Sequence, residues 1–380
     1  MAHSQSVSAF LHQQIAKAGG WLPFSEWMHQ ALYAPGLGYY AAGNTKLADI
    51  QASATTHLSG DFVTAPQLTP LFGQTIARQI AEVLKQTNTA CVLEFGAGSG
   101  ALAQDILEAL DARGLSVDYF ILEVSADLKH RQQERLARWG NRVQWLERTP
   151  EQFEGCVIAN EVLDAMPVEM FRWTEEGALQ IRGVKSENLA QGFVFEDRPA
   201  SDALTRVMQS RMPALPDYRS EINLQAEAWI SNLSAWLTRG AALLIDYGFP
   251  RHEYYHPQRH RGTLMCHIQH RAHDDVFLAP GLQDITAHVD FTAIAHAAQA
   301  AGLDVLGYTS QARFLLNAGL ADMLAAYAPE SEQLRAQTNG AVQKLISEAE
   351  MGELFKVIAL GRSINKPLIG FARGDRSGTL

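Results

Sequence analysis

Val92-Leu93-Glu94-Phe95-Gly96-Ala97-Gly98-Ser99-Gly100 is the stretch from which the rest of the chain is read. An apolar run meets an acid and then glycines at alternate positions, and Ala101, Leu102, Ile106, Leu107 and Leu110 follow at helical spacing. This reads as strand, tight turn, helix: the nucleotide-binding corner of a doubly wound α/β sheet. Glycine belongs there because the backbone must take conformations a Cβ opposes and must let a ligand approach the main chain.

Spacing alone does not choose the ligand, since Gly96, Gly98 and Ala101 also satisfy a dinucleotide fingerprint. Glu94 tips the balance. A carboxylate at the mouth of that strand repels a pyrophosphate, whereas it can receive the ammonium group of S-adenosylmethionine, which has no phosphates and carries a sulfonium charge. A second apolar run, Phe120-Ile121-Leu122, closes on Glu123, placed to accept hydrogen bonds from ribose hydroxyls. Gly96, Ala97, Gly98, Gly100, Glu94 and Glu123 are therefore expected to hold the cofactor.

The chain has 380 residues, 47% hydrophobic and 19% charged, with a formal net charge of −10. That balance argues against a sequence-independent nucleic-acid binder, which carries a basic face. No apolar run is long enough to cross a bilayer. Cys91, Cys156 and Cys266 are far apart, as structural thiols in a reducing compartment would be. Residues 1–20 resemble neither a secretory signal nor a transit peptide, so a cytoplasmic location is expected.

Outward from the glycine loop, residues 1–88 read as an N-terminal helical cap. Residues 89–167 and 238–362 read as the catalytic core, 168–237 as an inserted β-rich and helical subdomain, and 363–380 as a loose tail. A polar stretch up to Ser59 reads as a mobile loop, and Asp61, just ahead of the core, is placed to cover the crevice. Cys156 to Ala159 form a strand delivering Asn160, Glu161 and Asp164, and Ala242 to Ile245 form another delivering Asp246 and Tyr247. Ligands of open parallel sheets bind outside these strand ends. Residues 249–290 read as one long functional loop and 314–327 as one helix.

With the glycine loop, Asn160 to Pro167, Gly60 to Pro66 and Asp284 to Phe291 (Asp-Ile-Thr-Ala-His-Val-Asp-Phe) in hand, the chain resembles the MidA-type class I methyltransferases from about Leu22 to Leu360. The resemblance implies a Rossmann-like sheet of seven strands with the strand near Phe355 antiparallel, and S-adenosylmethionine as cofactor. It also implies a protein substrate, because the family's mitochondrial branch methylates an arginine of a respiratory-complex subunit. A homodimer stays open.

An arginine guanidinium is a poor nucleophile that needs carboxylates to hold its fork of donors and leave one lone pair aimed at the sulfonium. Glu161, Asp164 and Glu169 stand where such a clamp would be built. Glu161 and Asp164 are assigned to catalysis, with Asn160 and Glu161 also lining the cofactor. His288 is assigned to the released proton, since its charge is adjustable near neutral pH. Asp61, Asp246, Tyr247, Asp284 and Asp290 are assigned to substrate. His267, His270 and His273 share no helical face, so no metal is expected. Two alternatives stay open: an NAD-dependent oxidoreductase, and an assembly factor with a non-catalytic cofactor pocket.

Overall fold

Seven strands rich in buried apolar residues make the continuous path of an eight-stranded sheet: Cys91–Phe95 (β1), Asp118–Leu122 (β2), Val143–Leu146 (β3), Phe153–Asn160 (β4), Leu237–Phe249 (β5), Asp304–Ser310 (β6) and Phe355–Arg362 (β7), and the two-residue strand Val289–Asp290 pairs with β5 off this path. Their order is β6-β7-β5-β4-β1-β2-β3. The strands β5, β4, β1, β2 and β3 pair in parallel, and β7 runs antiparallel to both β5 and β6. Chain order reverses between β1 and β4, which opens a crevice beyond their carboxyl ends. This computed structural model describes residues 2–42, 64–188, 192–269 and 271–380. Asp61, His270 and the expected loop from 43 to 59 lie outside the described residues.

These residues divide into two compact units. The sheet unit comprises the described residues within Thr45–Val162, Trp229–Gly248 and Phe291–Leu380. Its helices Pro70–Thr87 and Ala101–Asp111 bury Phe72, Ile76, Ile80, Leu102 and Ile106 in one core with Val92, Ile158 and Leu243. Burying each such side chain contributes about 2 kcal/mol. Thr69 starts the first of these helices by accepting a hydrogen bond from Leu71 N, and Pro70 fills its first turn, where the missing N–H costs nothing.

The second unit gathers the described residues within Met1–Asn44, Leu163–Ala228 and Phe249–Asp290. This grouping differs from the division expected, because the N-terminal helices Ala2–Lys17 and Phe24–Tyr33 share a core with the inserted strands: Val7, Leu11, Trp27 and Met28 pack with Met170, Val184 and Phe193. Glu169–Trp173, Leu179–Asn188, Gly192–Pro199 and Arg219–Ile222, with Leu22–Pro23, make its sheet of five strands.

Three local expectations are corrected. The 249–290 stretch is not one loop, since Met265–Ile268, Arg271–His273 and Asp284–Thr286 form a small antiparallel sheet in which His267 stands opposite Ala272. The helix expected over 314–327 is two, Gln311–Asn317 and Leu320–Ala326, broken at Gly319. The terminal segment is no loose tail: Asp375 Oδ1 accepts from Tyr308 N at 2.9 Å, and Asn317 donates to the carbonyls of Gly370 and Arg373. Among the described residues no helix is long and apolar enough to cross a membrane, and no cluster of His, Cys, Asp and Glu suits a metal.

Candidate active site

The glycine loop is held in a shape that only glycine adopts cheaply. Gly96, Gly98 and Gly100 take φ of +62°, +54° and +77°. A Cβ on Gly96 would also meet Val162 Cγ2 at 3.2 Å. Gly96 N donates to Leu122 O at 2.9 Å, which ties the loop to the end of β2. Ala97 is buried within the loop.

The acids that close β1 and β2 have different environments. Glu94 is only 2% exposed, and Tyr119 of the neighbouring strand donates its hydroxyl to Oε2 at 2.7 Å. Burial pushes this carboxyl up to about 7, against the pull of the Tyr119 hydrogen bond. It is the penultimate residue of β1, two positions ahead of Gly96. Glu123 is half-buried and accepts from Ser125 N and from the Gln132 amide, each at 2.9 Å. Burial raises its pKa, and these two donors with the backbone N–H of Val124 and Gly98 oppose the rise. Val124, next along, is 77% exposed, the most exposed large apolar side chain described and a flat surface for an apolar ring.

At the end of β4 the backbone is strained. Glu161 has φ +54°, a region unfavourable for a residue with a Cβ and common at functional sites. Two bonds keep it there: Glu161 N donates to Ile245 O at 2.9 Å, and Asn160 Nδ2 donates to Glu161 Oε1 at 3.0 Å. Asn160 Oδ1 is buried with no hydrogen-bond partner among the described residues. A glycine cradle, a half-buried carboxylate and an orphaned amide oxygen fit a ligand with an amino acid end, a sugar and an apolar ring.

The second unit brings together residues the sequence placed apart. Asp164 and Asp284 are 4% and 2% exposed. Tyr40 donates its hydroxyl to Asp284 Oδ1 at 2.9 Å. That hydroxyl is pushed well above its ordinary pKa by burial, then by the charges of Asp284, Tyr33, Tyr39 and Asp164. Ala287 N donates to Asp164 O, fixing the two segments to each other. Tyr40 was missed because its surroundings read as a turn-rich loop.

Other expected residues have other neighbours. Asp290 Oδ2 is ion-paired with Arg251 at 3.2 Å, so it is not a bare substrate acid. His288 stacks on Phe249 with ring centroids 5.3 Å apart, and its backbone N–H donates to Thr263 Oγ1. Ser25 donates to Glu169 Oε1. Asp246 is 1% exposed at the end of β5, directly across from Lys356, and accepts from Tyr247 N. Tyr247 packs edge-on against Phe355. Asp246 is enclosed in the sheet, and Tyr247 is half-buried beside it.

Comparison with known proteins is consistent with this geometry. A family model described as "Putative S-adenosyl-L-methionine-dependent methyltransferase" matches residues 75–309. The crystal structure of a "likely methyl transferase from Burkholderia thailandensis bound to S-adenosyl-homocysteine" is 51% identical, with a TM-score of 0.93, covering 100% of this chain and 97% of that one. From Danio rerio, "Protein arginine methyltransferase NDUFAF7, mitochondrial" is 28% identical and the match covers 94% of this chain and 88% of the relative. Its Homo sapiens namesake is 27% identical, covering 90% and 81%. The oxidoreductase alternative is thereby set aside. The expected cytoplasmic location is overturned as well, because these relatives are named mitochondrial.

Proposed function

This chain belongs to the MidA-type family of class I S-adenosylmethionine-dependent methyltransferases, and from that premise we propose that its acceptor is an arginine side chain of a protein. The observation that carries the choice of acceptor is the pair of buried carboxylates, Asp164 and Asp284, gathered around the Tyr40 hydroxyl. The names of the relatives, protein arginine methyltransferases, point the same way.

When bound, S-adenosylmethionine supplies an electrophilic methyl carbon on a sulfonium. Glu123 would accept from the ribose hydroxyls, Val124 would meet the base, and the Gly96 to Gly100 backbone would receive the amino acid end, with Glu94, Asn160 and Glu161 lining the site. Asp164 and Asp284 hold the guanidinium by its N–H fork, draw its positive charge toward the bonded nitrogens and leave the remaining nitrogen free to attack. A carboxylate oxygen of the pair accepts the proton that must leave that nitrogen. Tyr40 fixes the Asp284 rotamer through its 2.9 Å hydrogen bond.

The test is transfer of labelled methyl to proteins of a lysate, followed by mass spectrometry of the modified residue. Label on arginine, lost in Asp284→Asn while S-adenosylhomocysteine still binds, supports the reading. Label on another residue type, or an Asp284→Asn enzyme as fast as wild type, refutes it.

A further inference from the structure

Helix Ala126–Arg135 carries mostly charged and polar residues, yet it buries Leu128 and Gln132, one turn apart. Gln132 is completely buried. A glutamine amide offers one oxygen acceptor and two N–H donors, and all three are used here. Trp145 of β3 donates its indole N–H to Gln132 Oε1 at 2.9 Å. An indole N–H can only donate, so it fixes which way the amide faces. The opposite end, Nε2, then donates to Gly98 O and to Glu123 Oε2, both at 2.9 Å. One acceptor is a carbonyl of the glycine loop and the other is the carboxylate at the end of β2.

We propose that Gln132, oriented by Trp145, is a positioning residue that locks the glycine loop and the Glu123 carboxylate into one cofactor-binding geometry. Gly100 packs beside it: a Cβ there would stand at contact distance, 3.4 Å, from Gln132 Cγ. The lock has a second effect. Ser125 N already occupies Glu123 Oε1, so the Gln132 bond to Oε2, beside the backbone N–H of Val124 and Gly98, holds the whole carboxylate plane. A carboxylate held this way meets a vicinal diol without first losing rotamer freedom.

The inference rests on the reading of Glu123 as the ribose acceptor, and the two fail differently. The experiment is isothermal titration of S-adenosylhomocysteine into wild type, Gln132→Met, Glu123→Gln, the double variant and Trp145→Phe, with melting temperature recorded for each. Methionine keeps the volume of glutamine and removes its hydrogen bonds. We expect ~10-fold weaker binding for Gln132→Met, ~30-fold for Glu123→Gln, and a double variant no more than ~60-fold weaker, short of the product of the two. Trp145→Phe, which frees the amide to turn over without touching either cofactor-side group, should weaken binding ~3-fold. A merely structural glutamine would lower the melting temperature and leave the coupling at zero. If Glu123→Gln weakens binding while Gln132→Met does not, or if the two losses multiply, the role of Gln132 is refuted and that of Glu123 stands. If Glu123→Gln binds like wild type, both fall.

Discussion

The two units build their polar sites by opposite routes. In the sheet unit the groups come from turns that directly follow strands: Gly96 to Gly100 after β1, Glu123 after β2, Asn160 and Glu161 at the end of β4. The backbone supplies much of the geometry, through positive φ and N–H groups at a helix start. In the second unit the acids are placed by packing, with Tyr40 reaching Asp284 across 244 residues of sequence. A site made of backbone tolerates almost no added Cβ, whereas a site made of side chains is sensitive to the loss of single atoms. Substitutions can test that distinction.

The largest effect is expected for Gly96→Val. A branched side chain at φ +62°, with its Cβ already 3.2 Å from Val162, cannot keep the loop. S-adenosylhomocysteine affinity should fall more than ~1,000-fold by titration. Retained affinity would mean that the loop is not backbone-built. Next comes Asp284→Asn in the second unit, which keeps shape and removes charge. Turnover should drop ~300-fold with cofactor affinity within ~2-fold of wild type, measured by single-turnover methyl transfer and titration. Loss of cofactor binding in that variant would blur the division between the units.

A third prediction concerns stability. Glu221, fully buried in the second unit, accepts from Thr263 N and Oγ1 at 2.9 and 3.1 Å, and burial pushes it up to about 7 from 4.5. Its folded-state pKa lies above the unfolded one, so the folded protein holds the proton more tightly. Stability should therefore fall by about 3 kcal/mol as pH rises from about 4.5 to about 7, and then level off. Glu221→Gln should flatten that slope in urea melts at pH 5 and pH 8. An unchanged slope would mean Glu221 is ionised throughout. Glu94 reaches about 7 by the same cause in the sheet unit. The smallest effect is Tyr40→Phe, where losing one hydroxyl to Asp284 should slow turnover ~10-fold. An equal loss in cofactor affinity would argue against its assignment to the acceptor.

Legibility in the sequence follows the same divide. Alternate glycines and acids closing apolar runs are local patterns, so the cofactor corner, the strand pairs feeding it and the family resemblance were all readable. Asp164 and Asp284 were readable as polar residues near strand ends, but Tyr40 carried no signal, since a turn-rich stretch looks the same whether or not its tyrosine is buried. Gln132 was hidden by its helix: Leu128 and Gln132 alone face inward, and a single apolar residue gives no periodicity. The partners of Asp290 and Glu169 were not readable, because nothing local announces that Arg251 and Ser25 will reach them.

The sequence by itself determined the strand, turn and helix of the cofactor corner, because backbone conformation there depends on residue type over a few positions. Only the tertiary structure decided which distant side chains meet: that the N-terminal helices join the inserted strands, that Tyr40 serves Asp284, and that Gln132 spans Gly98 and Glu123. Such pairings depend on how buried surfaces pack, and packing is a property of the whole fold rather than of any short run of residues.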